Sequence, residues 1–348
     1  MMDLNGEANG TNGLIGFRLK RDIFNKYGSL LIAAPALLNQ GHLELLESHA
    51  IQLTGEDVVT AGQEENAEQL DGAETIDQLV EQVYTIFQDV RYSKKVPLAD
   101  IRKHIIPAIH QSSDELNVFG LLSSLQAKDD YTYRHNIGVA VLATLIGKWL
   151  NMKEHDLLQL STAALLHDIG KMMIPPDILD KPDKLTNEEF ELMKKHIVFG
   201  YELIKGTVGT NHRQALVALQ HHERMDGRGY PFGLEQEKID YFSRIVMIAD
   251  VFHAMTSQKI YRSATPLYEI LRNISQNAFG VFDAKIVSVF LNRIMQSLVG
   301  HEVVLTDGSK GKIVYINPFA PVHPLVQIEE LFLDLSKHTE AQIDHVLA

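Results

Sequence analysis

With 348 residues, 45% of them hydrophobic, the chain can bury a substantial core and more than one folded unit. It has no cysteine, which excludes a disulfide framework and a thiolate metal site; any metal must be held by nitrogen and oxygen donors, a set that suits Fe, Mn or Zn. A formal charge of −13 argues against a nucleic-acid polymer as partner, because neutralising phosphates takes a basic surface. No apolar run approaches the roughly 20 residues of a membrane span. The start, MMDLNGEANGTNG, lacks the basic and apolar regions of a secretory signal, so the expectation is a cytoplasmic protein with no membrane partner.

In chain order, residues 1–60 read as a small α/β domain. Leu30-Leu31-Ile32 is a short strand, residues 34–49 carry Leu37, Leu38, Leu43, Leu45 and Leu46 in a pattern that suits a helix, and Val58-Val59 is a second strand. Residues 61–117 are an acidic linker, AGQEENAEQLDGA, followed by two connecting helices. The first carries Ile76, Leu79, Val80, Val83, Phe87 and Val90 at helical spacing, and the second, after Pro97, carries Leu98, Ile101, Ile105 and Ile109. These helices either join domains or form the contact of a homodimer. His104 and His110 fall here, off any metal-like spacing, and read as surface or boundary residues.

Residues 118–298 are helix-rich. Helical patterns are expected over about 133–150, 158–171, 188–204, 212–222, 243–257, 267–277 and 284–298. Trp149 and the methionines, among them Met172, Met247 and Met295, mostly fall on their apolar faces and read as core. In residues 299–348 the texture turns to β. Val303-Val304-Leu305, the turn Asp307-Gly308 and residues 312–316 predict a hairpin, with further strands over 325–328 and 332–335 and a short closing helix. The predicted fold class is mainly α, a helical core flanked by a small N-terminal α/β unit and a C-terminal β-rich extension.

Sixteen histidines are an unusual number, and their distribution is more informative still. Within the helical region they gather with aspartate in five islands: His135 in YTYRHN, His167-Asp168 in LLHDIGK, His196 in MKKHIVFGYELI, His221-His222 in LQHHERMDGRGYP, and Asp250 in VMIADVF. Any one island reads most simply as a hydrogen-bonded core histidine, a helix cap or a solvated helix end. A His-Asp pair inside an apolar helix, however, costs too much without partners, and a divalent cation compensates it. Five imidazoles and two carboxylates exceed the three or four protein ligands of a mononuclear catalytic site. They suffice for two ions about 3.5–4 Å apart bridged by a carboxylate, as used in phosphoryl chemistry.

The segment LLHDIGKMMIPPDIL resembles the signature HDxGKxxIPxxIL, and HHERMDGRGYP resembles HHExxDGxGYP. Together, in this order, they resemble the HD-GYP family of cyclic di-GMP phosphodiesterases, a branch of the HD metal-dependent phosphohydrolases, over about residues 120–298. The resemblance implies an HD-type helical core and two divalent ions, Fe or Mn, with Ni or Zn as alternatives. It implies His135, His167, Asp168 and Asp250 around one ion, His196, His221 and His222 around the other, and Asp168 as the bridge. Lys171 would face the attacking hydroxide or the scissile phosphate, so Asp168 and Lys171 are the expected catalytic residues; an ion pair with Asp168 is the plainer role for Lys171. Some relatives hold a third ion with a glutamate four residues before the first histidine; Tyr131 stands there, which implies a two-metal site. Asp226 and Tyr230 belong to a glycine-rich loop and are candidates for substrate contact or loop shaping alone. An Arg-Pro-Tyr-Arg/Lys run that grips guanine and phosphate is replaced by Lys259-Ile260-Tyr261-Arg262, which loses the planar fork at Lys259 while keeping Arg262. His253 stands where many relatives have aspartate, one turn past Asp250, and is expected to support or pack rather than ligate.

The implied activity is hydrolysis of cyclic di-GMP by a hydroxide bridging the metals, with either pGpG or GMP as the final product. Two alternatives remain at this point: a non-catalytic cyclic-dinucleotide sensor, and a phosphodiesterase for another cyclic dinucleotide such as cyclic GMP-AMP.

Overall fold

The computed structural model describes residues 14–25, 30–32, 36, 38–55, 57–60, 72–113, 131–256, 267–338 and 340–347. At the centre is the helix Tyr131–Trp149, in which Ile137, Val139, Val141, Leu142, Leu145 and Ile146 are all buried. A helix apolar around most of its circumference must be enclosed on several sides. The helices Glu154–Leu165, Tyr241–Thr256 and Ala284–Gln296 pack around it, together with the connecting helices. Of the connecting helices, Gly72–Ser93 buries Ile76, Leu79, Val80, Val83, Phe87 and Val90 against this core. Gln88 donates to the Tyr133 hydroxyl at 2.9 Å and Arg91 to the Ile174 carbonyl at 3.1 Å, which pins the helix beside the His-Asp islands. The stretch after Pro97 is helical as expected, but residues Ile101–Ile105 take π-helical hydrogen bonding before α-helix resumes at Ile106–Ser112. His104 is exposed, and His110 is half-buried against the Ser161 hydroxyl.

Two of the predicted helices are broken, and both breaks fall at site residues. The helix expected to run through residues 158–171 ends at Leu165, and a turn carries His167 and Asp168 into the 3-10 segment Ile169–Met173. The helix expected over 188–204 is two helices, Asn187–Met193 and His196–Lys205, interrupted at Lys194-Lys195. Thr186 caps the first through a reciprocal box with Glu189. Helix His212–Gln220 starts from a similar box between Asn211 and Gln214 and stops just before His221-His222.

In the N-terminal unit, β1 (Phe17–Leu19) pairs antiparallel with β4 (Val58–Thr60), and β2 (Ile23–Phe24) with β3 (Leu30–Ile32). Its helix begins at Gln40, later than expected, because Asn39 caps it by accepting from the His42 amide at 2.9 Å. The unit is fastened to the end of the helical core. Arg293 grips Asp22 with two bonds of 2.7 and 2.6 Å, and Asn39 donates to the Val299 carbonyl. The C-terminal extension is a five-stranded antiparallel sheet in the order β8-β7-β6-β5-β9, comprising β5 (Glu302–Leu305), β6 (Lys310–Tyr315), β7 (Leu325–Ile328), β8 (Leu331–Asp334) and β9 (Ile343–Val346). The predicted hairpin is β5–β6, with Val303 opposite Gly311. The closing helix is a correction: residues 343–346 pair with β5, Val303 opposite Val346, and Ile343 is buried in the sheet. Two β-branched residues beside an open strand edge gain more from the ladder than from a single helical turn.

Candidate metal centre

All five islands open into one interior. The Tyr131–Trp149 helix supplies His135, the turn after Leu165 supplies His167 and Asp168, and the first residue of His196–Lys205 supplies His196. The turn after Gln220 supplies His221 and His222, and the Tyr241–Thr256 helix supplies Asp250. Their donor atoms form two clusters, each with all donors within 4.8 Å: Asp168, His196, His221 and His222 in one, and His135, His167 and Asp250 in the other. Asp168 lies between them. Its Oδ1 faces His196 Nε2 at 3.3 Å and His221 Nε2 at 3.7 Å, while its Oδ2 faces His167 Nε2 at 3.4 Å and His135 Nε2 at 4.0 Å. Across the second cluster His135 Nε2 is 3.0 Å from Asp250 Oδ1.

The hydrogen bonds behind the rings set their tautomers. Nδ1 of His167 donates to the Ala164 carbonyl at 2.7 Å, Nδ1 of His196 to the Met193 carbonyl at 2.7 Å, and Nδ1 of His221 to the carbonyls of Val217 and Ala218 at 3.1 Å. A carbonyl only accepts, so these Nδ1 atoms carry the protons and the neutral rings turn Nε2 lone pairs inward. Nε2 of His167, His196 and His221 and Oδ1 of Asp168 are buried and have no hydrogen-bonding partner among the described residues. Buried lone pairs converging without a proton between them are costly, and a divalent cation is the species they fit. The helix breaks now have a reason: a histidine at a helix end can use a carbonyl of the preceding turn as its Nδ1 acceptor.

Electrostatics follow the same division. Burial presses His222 from 6.5 to about 4, and it lowers His196 as well; His221 falls well below its ordinary value through burial and the neighbouring His222 and His167. Burial also disfavours the Asp168 carboxylate, but Lys171 and His167 outweigh it and hold the group well below the carboxylate range. Lys171 Nζ lies 2.5 Å from Asp168 Oδ2 and keeps a quarter of its side chain exposed at the mouth of the site. For His167 the pull of burial is overcome by Asp168, and its value is raised.

The glycine-rich loop is built against this wall. Tyr230 stacks on His222. Asp226 accepts two bonds from Arg224, at 3.0 and 2.7 Å, and one from the Arg228 amide, and Arg224 foremost draws its pKa to about 2. Those contacts make Asp226 a brace within the loop. Sequence reasoning passed over Glu223, which is buried and accepts from the Phe232 amide at 2.8 Å and the Leu234 amide at 2.9 Å, clamping the far side of the loop. Its place directly after His222 in the HHE triplet was the signal available. Gly229 is required by close approach, since a Cβ there would lie 2.4 Å from the Glu223 Cα. His253 meets His135 at 3.1 Å, Nδ1 to Nδ1, and is held neutral by burial, with a pKa near 3. Lys259 and Arg262 lie outside the described residues, as does the Tyr131 side chain.

Residues 119–286 match the family model of the HD domain, a domain that implies divalent-metal binding. A cyclic di-GMP phosphodiesterase of Pseudomonas aeruginosa is 31% identical over 250 residues, covering 71% of this chain and 59% of that protein. A 3'3'-cGAMP-specific phosphodiesterase 3 of Vibrio cholerae is 32% identical over 215 residues, covering 59% of this chain and 46% of that protein. The chain thus spans about half the length of the curated relatives it matches. Among solved structures, an HDG"Y"P protein from Bdellovibrio bacteriovorus superposes with a TM-score of 0.50 at 15% identity, over 82% of this chain and 95% of its own, and so shares the fold. No helix among the described residues is long and apolar enough to cross a membrane. The stretch that matches the HD domain is the one in which both sequence motifs meet at a single interior.

Proposed function

We propose that the chain is a metal-dependent phosphodiesterase that opens cyclic di-GMP, with either pGpG or GMP as the final product. The observation that carries this reading is the Asp168 carboxylate, whose two oxygens face two separate histidine clusters. The donor set suits two divalent ions, Fe or Mn, with Ni or Zn as alternatives, and His135, His167, Asp168 and Asp250 would hold one while Asp168, His196, His221 and His222 hold the other. When bound, such a pair supplies the Lewis acidity that makes water a nucleophile at neutral pH and neutralises charge on a phosphoryl oxygen.

The chain's own residues do the rest. Lys171 presents its ammonium beside Asp168, where it offsets charge on the phosphate. Tyr230 and the loop braced by Asp226 and Glu223 form one side of the mouth, and Lys259 and Arg262 are the proposed contacts to phosphate and base. In the balanced reaction water adds to one phosphorus, the bond from that phosphorus to the 3′ oxygen breaks, and the 3′ hydroxyl leaves with a proton. A cytoplasmic location and a homodimer are part of the same proposal, and since the apolar stripes of the connecting helices are buried in the chain's own core, a partner copy would meet their outer faces.

The test is turnover of cyclic di-GMP together with metal analysis. Asp168→Ala is expected to abolish both hydrolysis and stoichiometric metal. A wild-type protein with a full metal complement and no turnover would overturn the enzymatic reading in favour of a ligand sensor. Similarity to the 3'3'-cGAMP-specific Vibrio relative supports a second substrate reading, separated by parallel assays of both cyclic dinucleotides.

A further inference from the structure

Three site histidines share one construction, in which Nδ1 is fixed by a backbone carbonyl and Nε2 faces the interior. His135 is built differently. It sits within a long helix, and its Nδ1 meets a side chain, His253 Nδ1, at 3.1 Å. Its Nε2 meets Asp250 Oδ1 at 3.0 Å. Asp250 and His253 are one turn apart on the helix Tyr241–Thr256, so a single helix face grips both nitrogens of one imidazole. The helix that carries His135 makes room for this. Gly138, one turn after His135, faces the His253 ring so closely that a Cβ there would fall 2.1 Å from His253 Nε2 and 2.2 Å from its Cδ2.

We propose that His253 is a positioning residue that fixes the tautomer of His135, and that Gly138 is the steric condition for it. This rests on the reading of His135 as a metal ligand. If Nε2 of His135 gives its lone pair to a cation, the ring proton must reside on Nδ1, and that proton needs an acceptor. His253 Nδ1 provides it, which makes His253 itself the Nε2–H tautomer. The role is thus one of hydrogen-bond acceptance, separable from the volume the ring fills.

Two substitutions separate acceptance from packing. His253→Phe keeps a ring and loses the acceptor; His253→Asn loses the ring and keeps an acceptor oxygen near the Nδ1 position. Mn²⁺ binding to each full-length protein is measured by equilibrium dialysis, with circular dichroism and thermal melting to establish folding. The wild type is expected to hold two Mn²⁺ per chain. In His253→Phe one of the two sites is expected to weaken by about 10–100-fold, the usual cost of losing a partner behind a ligand, and His253→Asn is expected to restore most of it. Gly138→Ala, which forces the His253 ring away, should reproduce the weakening and add nothing to His253→Phe, and it carries the test if the Phe variant does not fold. Two bound Mn²⁺ with unchanged affinity in His253→Phe would overturn this inference and leave the metal centre standing. A folded wild type that takes up no Mn²⁺ would overturn both.

Discussion

Tyr230 lies stacked on His222, ring centroids 4.7 Å apart and planes 25° from parallel. The glycine-rich loop therefore touches the proposed metal centre through the face of a ligand ring. Burial, with Asp168 and Asp250 adding to it, pushes the Tyr230 hydroxyl well above its ordinary value, so the phenol stays neutral and serves as a wall rather than a proton donor in transit. Tyr230→Phe is accordingly expected to leave kcat and KM nearly unchanged. Tyr230→Ala should raise KM about twofold to thirteenfold, from the roughly 0.5–1.5 kcal/mol of an aromatic pair. Steady-state kinetics on the two variants decide it; a large kcat loss in the Phe variant would mean the hydroxyl takes part in the chemistry.

Lys171 has two available roles, counter-charge to Asp168 or stabiliser of phosphate charge. Its 2.5 Å contact with Asp168 fits the first and its partly exposed position the second. If the second holds, Lys171→Met lowers kcat by about 10²–10³-fold, the loss typical of one preorganised donor, while two metal ions remain bound. If the ammonium only balances Asp168, kcat survives once metal replaces it. Single-turnover rates on protein of verified metal content separate the two.

The buried imidazoles also predict the response to acid. His222, His221 and His196 have lowered pKa values in the folded protein, His222 near 4, against 6.5 for an ordinary histidine. Below about pH 6.5 the unfolded chain takes up protons that the folded chain refuses, so stability falls as the pH drops toward 4. Each histidine held neutral contributes a slope of up to about 1.4 kcal/mol per pH unit in that window. His167, raised by Asp168 against burial, acts in the opposite sense and offsets part of it. Thermal melts of metal-stripped protein should show a Tm that falls steadily from neutral pH to about pH 5. A flat profile would mean that these rings accept protons in place.

The residues of the site were legible because the two long motifs name side chains whose chemistry makes sense only together, and the apolar periods of residues 76–90 and 137–146 fixed the packed faces of their helices. Periodicity could not show where the helices stop. The stretches through His167-Asp168 and Lys194-Lys195 keep a helical pattern, and the breaks answer to hydrogen bonds from Nδ1 of His167 and His196 to carbonyls three residues back, a side-chain demand that apolar spacing does not display. Glu223 escaped notice for a related reason, since its partners Phe232 and Leu234 are distant in sequence and offer only backbone amides. Strand β9 was missed because its pattern is too short to declare a period, and β5 alone decides it.

Gly170 offers the most direct test of whether the 3-10 segment is what holds Asp168 in register with His196. A Cβ at this position would lie 1.9 Å from the His196 carbonyl oxygen and 2.4 Å from the Gly200 amide nitrogen. Both obstacles are backbone, so the helix His196–Lys205 and the segment Ile169–Met173 would have to separate. Overpacking of this kind costs about 1–3 kcal/mol and occasionally more. The segment follows directly on Asp168 and the helix begins at His196; the donor atoms of these two residues are 3.3 Å apart, so separating the two elements would disturb that pair. Gly170→Ala is therefore expected to lower Tm and, in the fraction that stays folded, to weaken metal at the cluster containing His196. Gly200→Ala, whose Cβ would meet the Ala218 side chain at 3.2 Å, should be milder because a methyl group can yield where a carbonyl cannot. Metal stoichiometry and melting curves for the pair provide the comparison, and equal effects from both substitutions would remove the close backbone approach at Gly170 as the cause.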